Sequence, residues 1–184
     1  MGPLEDSDVM DRVKGGHLEL LALLFERHHR RTFGFFLRLC GDRQTAEDLT
    51  QDLFLQVLRS RETWQEGRPF LPWLFQIARN LHVSHLRRQR PEVASEALLE
   101  LAPDPQDSAA TRVAAQEDQE LLQQALARLP AKKRELLLLS REESLSYQDL
   151  AGMLSCSYTS VKVQVHRALQ DLRRAFADVQ RGTT

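Results

Sequence analysis

The sequence predicts an all-α fold: two small helical domains joined by a flexible acidic linker, the second domain a helix-turn-helix. Three observations predict it. Apolar residues recur at helical spacing in almost every segment. No run alternates convincingly in the manner of a strand, and no Asn-Gly or Asp-Gly pair marks a hairpin. Between Pro91 and Ala115 the helical pattern lapses into prolines and acids.

Taken in order, the first long helix is expected from His17 to Cys40, with Leu18, Leu21, Phe25, Phe36 and Leu39 near one face. Gly41-Asp42-Arg43 ends it. A second helix spans Gln44 to Ser60 and buries Ala46, Leu49, Leu53 and Val57. A polar loop, Ser60 to Pro69, carries Trp64, expected to be exposed, and Gly67. A third helix runs from Phe70 to Arg90 and tolerates Pro72 in its first turn. After the linker, helices are expected over Gln116–Leu129 and, past Pro130, over Glu135–Leu139. Ser146 and Asp149 have the spacing of a capping box opening a short helix to Leu154. Ser155-Cys156-Ser157 then turns the chain into a last helix, Tyr158 to Phe176. The domains are drawn at residues 5–90 and 116–177, with 91–115 between them.

The content of 42% hydrophobic and 28% charged residues is that of an ordinary globular protein. No apolar run is long enough to cross a membrane, and the acidic start MGPLEDSD is unlike a signal peptide, so a cytoplasmic protein without membrane insertion is expected. Cys40 and Cys156 read as reduced thiols filling apolar sites. A net charge of −1 conceals an uneven distribution. Pro91 to Glu120 holds eight acidic residues against Arg112 alone, which leaves the remainder net positive. His82 and His85 lack further obvious ligands, and there is no nucleophile–base motif or glycine-rich phosphate loop. An enzyme, a metal site and a cofactor are therefore not expected.

Three helix faces carry the chemistry instead. In the last helix Val161, Val165, Ala168 and Leu172 form the buried stripe, and Lys162, Val163, His166, Arg167, Gln170 and Arg174 rotate away from it. After a short helix and a tight turn, such donors suit phosphates and base edges in a major groove. In the second helix Asp48, Gln51, Asp52 and Leu55 share a face that suits a basic partner helix, although a solvated acidic face has the same pattern. In the third, Gln76, Arg79, Asn80, Val83, Arg87 and Arg90 line one side, with Trp64, Phe70, Trp73 and Phe75 near its start. Basic charge beside aromatics suits single-stranded DNA, and the same aromatics suit a core. The residues themselves leave that choice open.

The segment AEDLTQDLFLQVLRS, Ala46 to Ser60, resembles the polymerase-binding helix of extracytoplasmic-function sigma factors, commonly A-E-D-x-x-Q-E-x-F. Phe70 to Arg90 resembles that family's promoter-melting and −10-reading helix, and Ala125 to Phe176 its −35-reading domain. The resemblance implies an RNA polymerase sigma factor that binds core polymerase and reads −10 and −35 promoter elements. It implies that Asp48, Leu49, Gln51, Asp52 and Leu55 meet the clamp helices of the β′ subunit. It implies −10 DNA contacts from Trp64, Phe70, Trp73, Arg79, Asn80, Val83 and Arg87, with a flipped base held by the loop from Trp64 to Phe70. It implies −35 contacts from Ser157, Thr159, Ser160, Lys162, Val163, His166 and Arg167, in a domain seated on the β flap. An anti-sigma factor is a further partner that the resemblance implies, and the linker would thread the polymerase cleft.

Three positions depart from the family pattern. Asp52 stands where Glu is commoner, Ser155 where Gly often makes the turn, and Val163 where a polar residue is frequent. Ser155 predicts backbone strain in the turn. The rival reading is a helix-turn-helix regulator independent of polymerase. The run Asp48 to Asp52 followed by the Trp73–Arg90 helix argues against it, since a sensor domain needs neither.

Overall fold

The computed structural model describes residues 4–88 and 119–182. The described residues are helical, with no strand among them. The expected linker, Pro91 to Ala115, lies outside them, as does Arg90. Residues 4–36 and 44–88 belong to one compact unit, and residues 37–43 and 119–182 to a second.

The N-terminal unit opens with a helix absent from the sequence reading, α1, Asp6–Lys14. Its acids Asp6 and Asp8 lie in the first turn and its bases Arg12 and Lys14 in the last, the arrangement that complements the helix dipole. Val9, Met10 and Val13 share one face and are fully buried. A single 3-10 turn, Leu18–Leu20, leads into α2, Leu21–Cys40.

The buried stripe of α2 runs through Leu24, His28, Thr32, Phe35, Phe36 and Leu39. Leu18 and Phe25, expected on the core side, are exposed instead. Leu18 falls in the 3-10 turn before α2, and for Phe25 the inward positions are taken by a polar pair in the stripe. His28 meets Asp6 at 2.7 Å through Nε2, and the Thr32 hydroxyl donates to the carbonyls of His28 and His29 at 3.0 and 3.1 Å. Satisfied in this way, two polar side chains are cheap to bury, and a stripe drawn through apolar residues alone misses them.

α3, Arg43–Arg59, buries Ala46, Leu49, Thr50, Leu53, Phe54 and Val57. After a second 3-10 turn, Arg61–Thr63, the chain loops to α4, Phe70–Arg88. Pro72 falls in the first turn of α4, where an N–H has no helical partner to lose. Phe70, Leu74, Phe75, Ile77, Ala78 and His82 face inward, and Phe35 packs edge-on against Phe75 at 5.2 Å.

In the C-terminal unit α5 covers residues 119–127 as described, and α6, Ala131–Ser140, starts directly after Pro130, earlier than expected. The amides of Lys133 and Arg134 both donate to the Pro130 carbonyl, so the proline begins the helix. Leu136 to Leu139 are all buried. α7, Tyr147–Met153, carries the expected capping box, with the Asp149 amide donating to Ser146 Oγ and the Ser146 amide to Asp149 Oδ2. The last helix, α8, runs from Tyr158 to Gly182, well past Phe176, and buries Val161, Val165, Ala168 and Val179. Lys133 of α6 is hydrogen-bonded to Asp171 of α8.

Candidate nucleic-acid interface

The helix-turn-helix is held by local bonds. Leu154 closes α7, and Ser155 follows with φ 52°, the one described non-glycine residue in the left-handed region. Its amide donates to the Gly152 carbonyl, and the Cys156 amide to that of Ala151. That pair of bonds is a Schellman motif, which favours glycine at the position Ser155 occupies. The strain expected from the sequence is therefore present.

Ser157 precedes α8, and its Oγ accepts the Ser160 amide at 3.1 Å. It is an N-cap as well as a candidate contact. Ser160 is half-buried, with Gln164 donating to its hydroxyl at 2.8 Å, whereas Thr159 is open to solvent. Lys162, Val163, His166, Arg167, Gln170 and Arg174 are all exposed, opposite the buried stripe. The Lys162 ammonium sits 4.8 Å from the ring centroid of Tyr158, itself 44% exposed. This cation–π contact adds Tyr158 to the face. The sequence signal for it was an aromatic in the first position after the turn.

The α3 face also forms as expected in part. Asp48, Gln51, Asp52 and Leu55 are exposed along one side, Leu55 by 49%. Gln44 donates to Asp48 Oδ1 at 3.1 Å. Leu49, implied by the resemblance as a fifth contact, is 5% exposed beneath the face, on the side that the helical period assigns to the core. The exposed Phe25 of α2 reaches α3 edge-on at Phe54, 5.0 Å away, and stacks on His29 at 4.9 Å.

The aromatic cluster before α4 resolves differently from the sequence expectation. Trp64 is 1% exposed and Phe70 is buried too, so neither offers a free ring to a base. Trp64 packs against Trp73 at 5.3 Å and Phe70 at 6.1 Å, and its indole N–H donates to the Asp11 carboxylate. A large indole is expensive to leave in water, and Asp11 satisfies its one donor. Phe75 is likewise core, which leaves half-buried Trp73 as the accessible aromatic of the cluster.

Between the two buried rings, residues 65–69 form an exposed crown. It turns at Gly67, whose φ is 72°. A Cβ there would meet nothing within 4 Å, so the turn needs glycine for its backbone and not for space. Along α4, Asn80 and Arg87 are exposed and Arg79 and Val83 half-buried, on the same side as Trp73. Gln76 donates to Asn80 at 3.1 Å.

Burial pushes the Cys40 thiol up to about 11, which keeps it protonated and unreactive near neutral pH. No three His, Cys, Asp or Glu among the described residues are grouped to hold a metal ion, and no described helix is long and apolar enough to cross a membrane.

The sequence pattern of Sigma-70 region 2 matches residues 24–92, and that of Sigma-70 region 4 matches residues 119–172. The RNA polymerase sigma factor CarQ of Myxococcus xanthus is 31% identical, over 93% of this chain and 97% of that protein. This chain belongs to the sigma-70 family. Within that family it is an extracytoplasmic-function sigma factor, directing RNA polymerase to begin transcription at promoters. The ECF RNA polymerase sigma factor SigE of Mycolicibacterium smegmatis is 35% identical, over 84% of this sigma factor and 60% of that protein. The fold agrees with that of the sigma factor RpoE of Bartonella quintana, solved with the anti-sigma factor NepR. The TM-score is 0.68 at 24% identity, covering 85% of this sigma factor and 96% of that chain. A polymerase-independent regulator is thereby set aside, because region 2 accounts for the half of the chain such a regulator would not use.

Proposed function

We propose that this sigma factor divides promoter binding among three faces. Asp48, Gln51, Asp52 and Leu55 dock on the clamp helices of core polymerase, with Phe25 extending the patch. The 65–69 crown, Trp73, Arg79, Asn80, Val83 and Arg87 hold the melted −10 strand. Thr159, Lys162, Val163, His166 and Arg167 enter the −35 major groove, with Ser157 at the helix start. The observation that carries this reading is that the α3 and α8 faces are exposed sides of helices whose other sides are core, and that the exposed 65–69 crown stands beside the open side of α4. Each therefore has a side free for a partner without unfolding.

Residues 5–90 and 116–177 are the proposed domains, each with its own share of the promoter. The work is binding and strand capture, with the cost of unstacking a base, about a few kcal/mol, offset by new contacts. No bond-making step is assigned to the chain, and its place is the cytoplasm, with the polymerase. An anti-sigma factor that covers the α3 face is the proposed regulator.

The decisive experiment is transcription in vitro from a promoter library, with the purified chain and core polymerase. Initiation at a defined set of promoters is expected only with both components present. Asp48→Ala with Gln51→Ala should abolish core binding while shifting unfolding by no more than about 0.5 kcal/mol. A double variant that still binds core as wild type would remove the docking face from the proposal.

A further inference from the structure

Trp64 lies in the loop after α3, yet α1 holds both its side chain and its main chain. Asp11 takes the indole N–H. Lys14, one turn further along α1, donates to the Trp64 carbonyl at 3.0 Å and lies 3.6 Å from Glu66 Oε1. The opposite side of α1 is anchored by Val9, Met10 and Val13. Two charged side chains on a core-anchored helix thus grip the base of the exposed crown at residues 65–69.

The crown's own internal bonding is slight: the Arg68 amide donates to the Gln65 carbonyl at 3.2 Å across the Gly67 turn. Its position must therefore be set from outside. Fixing Trp64 at both indole and carbonyl determines where the next five residues stand. The Lys14–Glu66 pair also offsets a carboxylate on a surface that must approach phosphates. Recognition sites need supporting contacts of this kind, since placement errors of about 0.5 Å already weaken them.

We propose that α1 positions the −10-reading loop, with Asp11 and Lys14 as positioning residues that set base selectivity without touching DNA. The inference rests on the reading of that loop as the −10 reader.

The test uses full-length chain with core polymerase on templates randomised across −10 and fixed at −35. The variants are Asp11→Ala, Asp11→Asn, Lys14→Met and Lys14→Arg, read out by base preference at each position and by the fraction of bound promoter that melts. Asp11→Ala and Lys14→Met should each flatten −10 preference and melting by about tenfold, the worth of one charge-assisted hydrogen bond. Core affinity and −35 preference should stay within about twofold of wild type. Asn keeps an acceptor for the indole and Arg keeps a cationic donor, so both conservative variants should restore preference. Adding Glu66→Gln to Lys14→Met should recover part of the melting.

An unchanged −10 profile in Lys14→Met overturns the inference, and so does an equal loss of −10 preference, −35 preference and core binding, which marks a structural role only. Should Asp11→Ala fail to fold, the comparison of Lys14→Met with Lys14→Arg decides alone, because both replacements keep the long stem of the part-buried Lys14. Should wild type fail to initiate anywhere, the −10 reading itself falls and takes the inference with it.

Discussion

The two units build the surfaces proposed to meet DNA by different means. In the C-terminal unit the proposed reading face lies on one helix, α8. The devices that set the start of that helix are close in the chain: the Ser146–Asp149 box, the Schellman turn at Ser155, the Ser157 cap and the Tyr158–Lys162 contact, with one longer tie from Lys133 of α6 to Asp171. In the N-terminal unit the crown at 65–69 is placed by Asp11 and Lys14, fifty residues earlier in the chain, and by rings from α2 and α4. Local devices confine the effect of a substitution to one contact. Long-range devices join recognition to the stability of the core, so the same class of change should act on both.

The largest test of that contrast is Trp64→Ala. Deleting a buried indole should cost about 3–5 kcal/mol of unfolding free energy and abolish −10 selectivity together. Chemical denaturation beside promoter melting measures both. A variant that loses selectivity while unfolding as wild type would show the loop to be independent of its core.

Arg167→Ala should behave in the opposite way. About 1–3 kcal/mol of promoter affinity is lost if the guanidinium reads a base, or the salt dependence flattens if it meets phosphate. Unfolding should be unchanged, because Arg167 projects from the exposed side of α8. Binding titrations at several salt concentrations separate the two, and unaltered binding at all of them would remove Arg167 from the reading face.

Ser155→Gly has a smaller effect and the reverse sign. Relief of the left-handed backbone should stabilise the C-terminal unit by about 0.5–1 kcal/mol, net of glycine's greater freedom when unfolded. A lowered unfolding midpoint would contradict this account of the turn.

The smallest effect concerns Lys133 and Asp171. The hydrogen bond from Lys133 holds the Asp171 carboxyl below the usual carboxylate range. A depressed folded value makes the stabilisation present above the unfolded pKa, near ~3.9, and lost as pH falls through the lower folded one. In thermal unfolding at stepped pH, Lys133→Met should trail wild type at neutral pH, with the gap closing in acid. A gap that stays constant with pH would exclude the ion pair as its cause.

Much of this was legible in residue order because it is local. Helical period gives α2 to α4 and α8, Ser-x-x-Asp gives the α7 cap, and Ser155 in a turn that favours glycine gives the strain. The exposed set Asp48, Gln51, Asp52 and Leu55 follows from one helix wheel. α1 was missed: Val9, Met10 and Val13 stand at helical spacing before Gly15-Gly16, but the acids around them obscured the stripe.

What only tertiary structure decided depends on residues far apart in the chain. Whether Trp64 is a platform or a pillar turns on Asp11, and no local pattern couples positions 53 apart. The buried face of α2 turns on Asp6, which satisfies His28 and thereby leaves Phe25 outside. Period fixes which residues share a face; only the packing partners decide which face meets water.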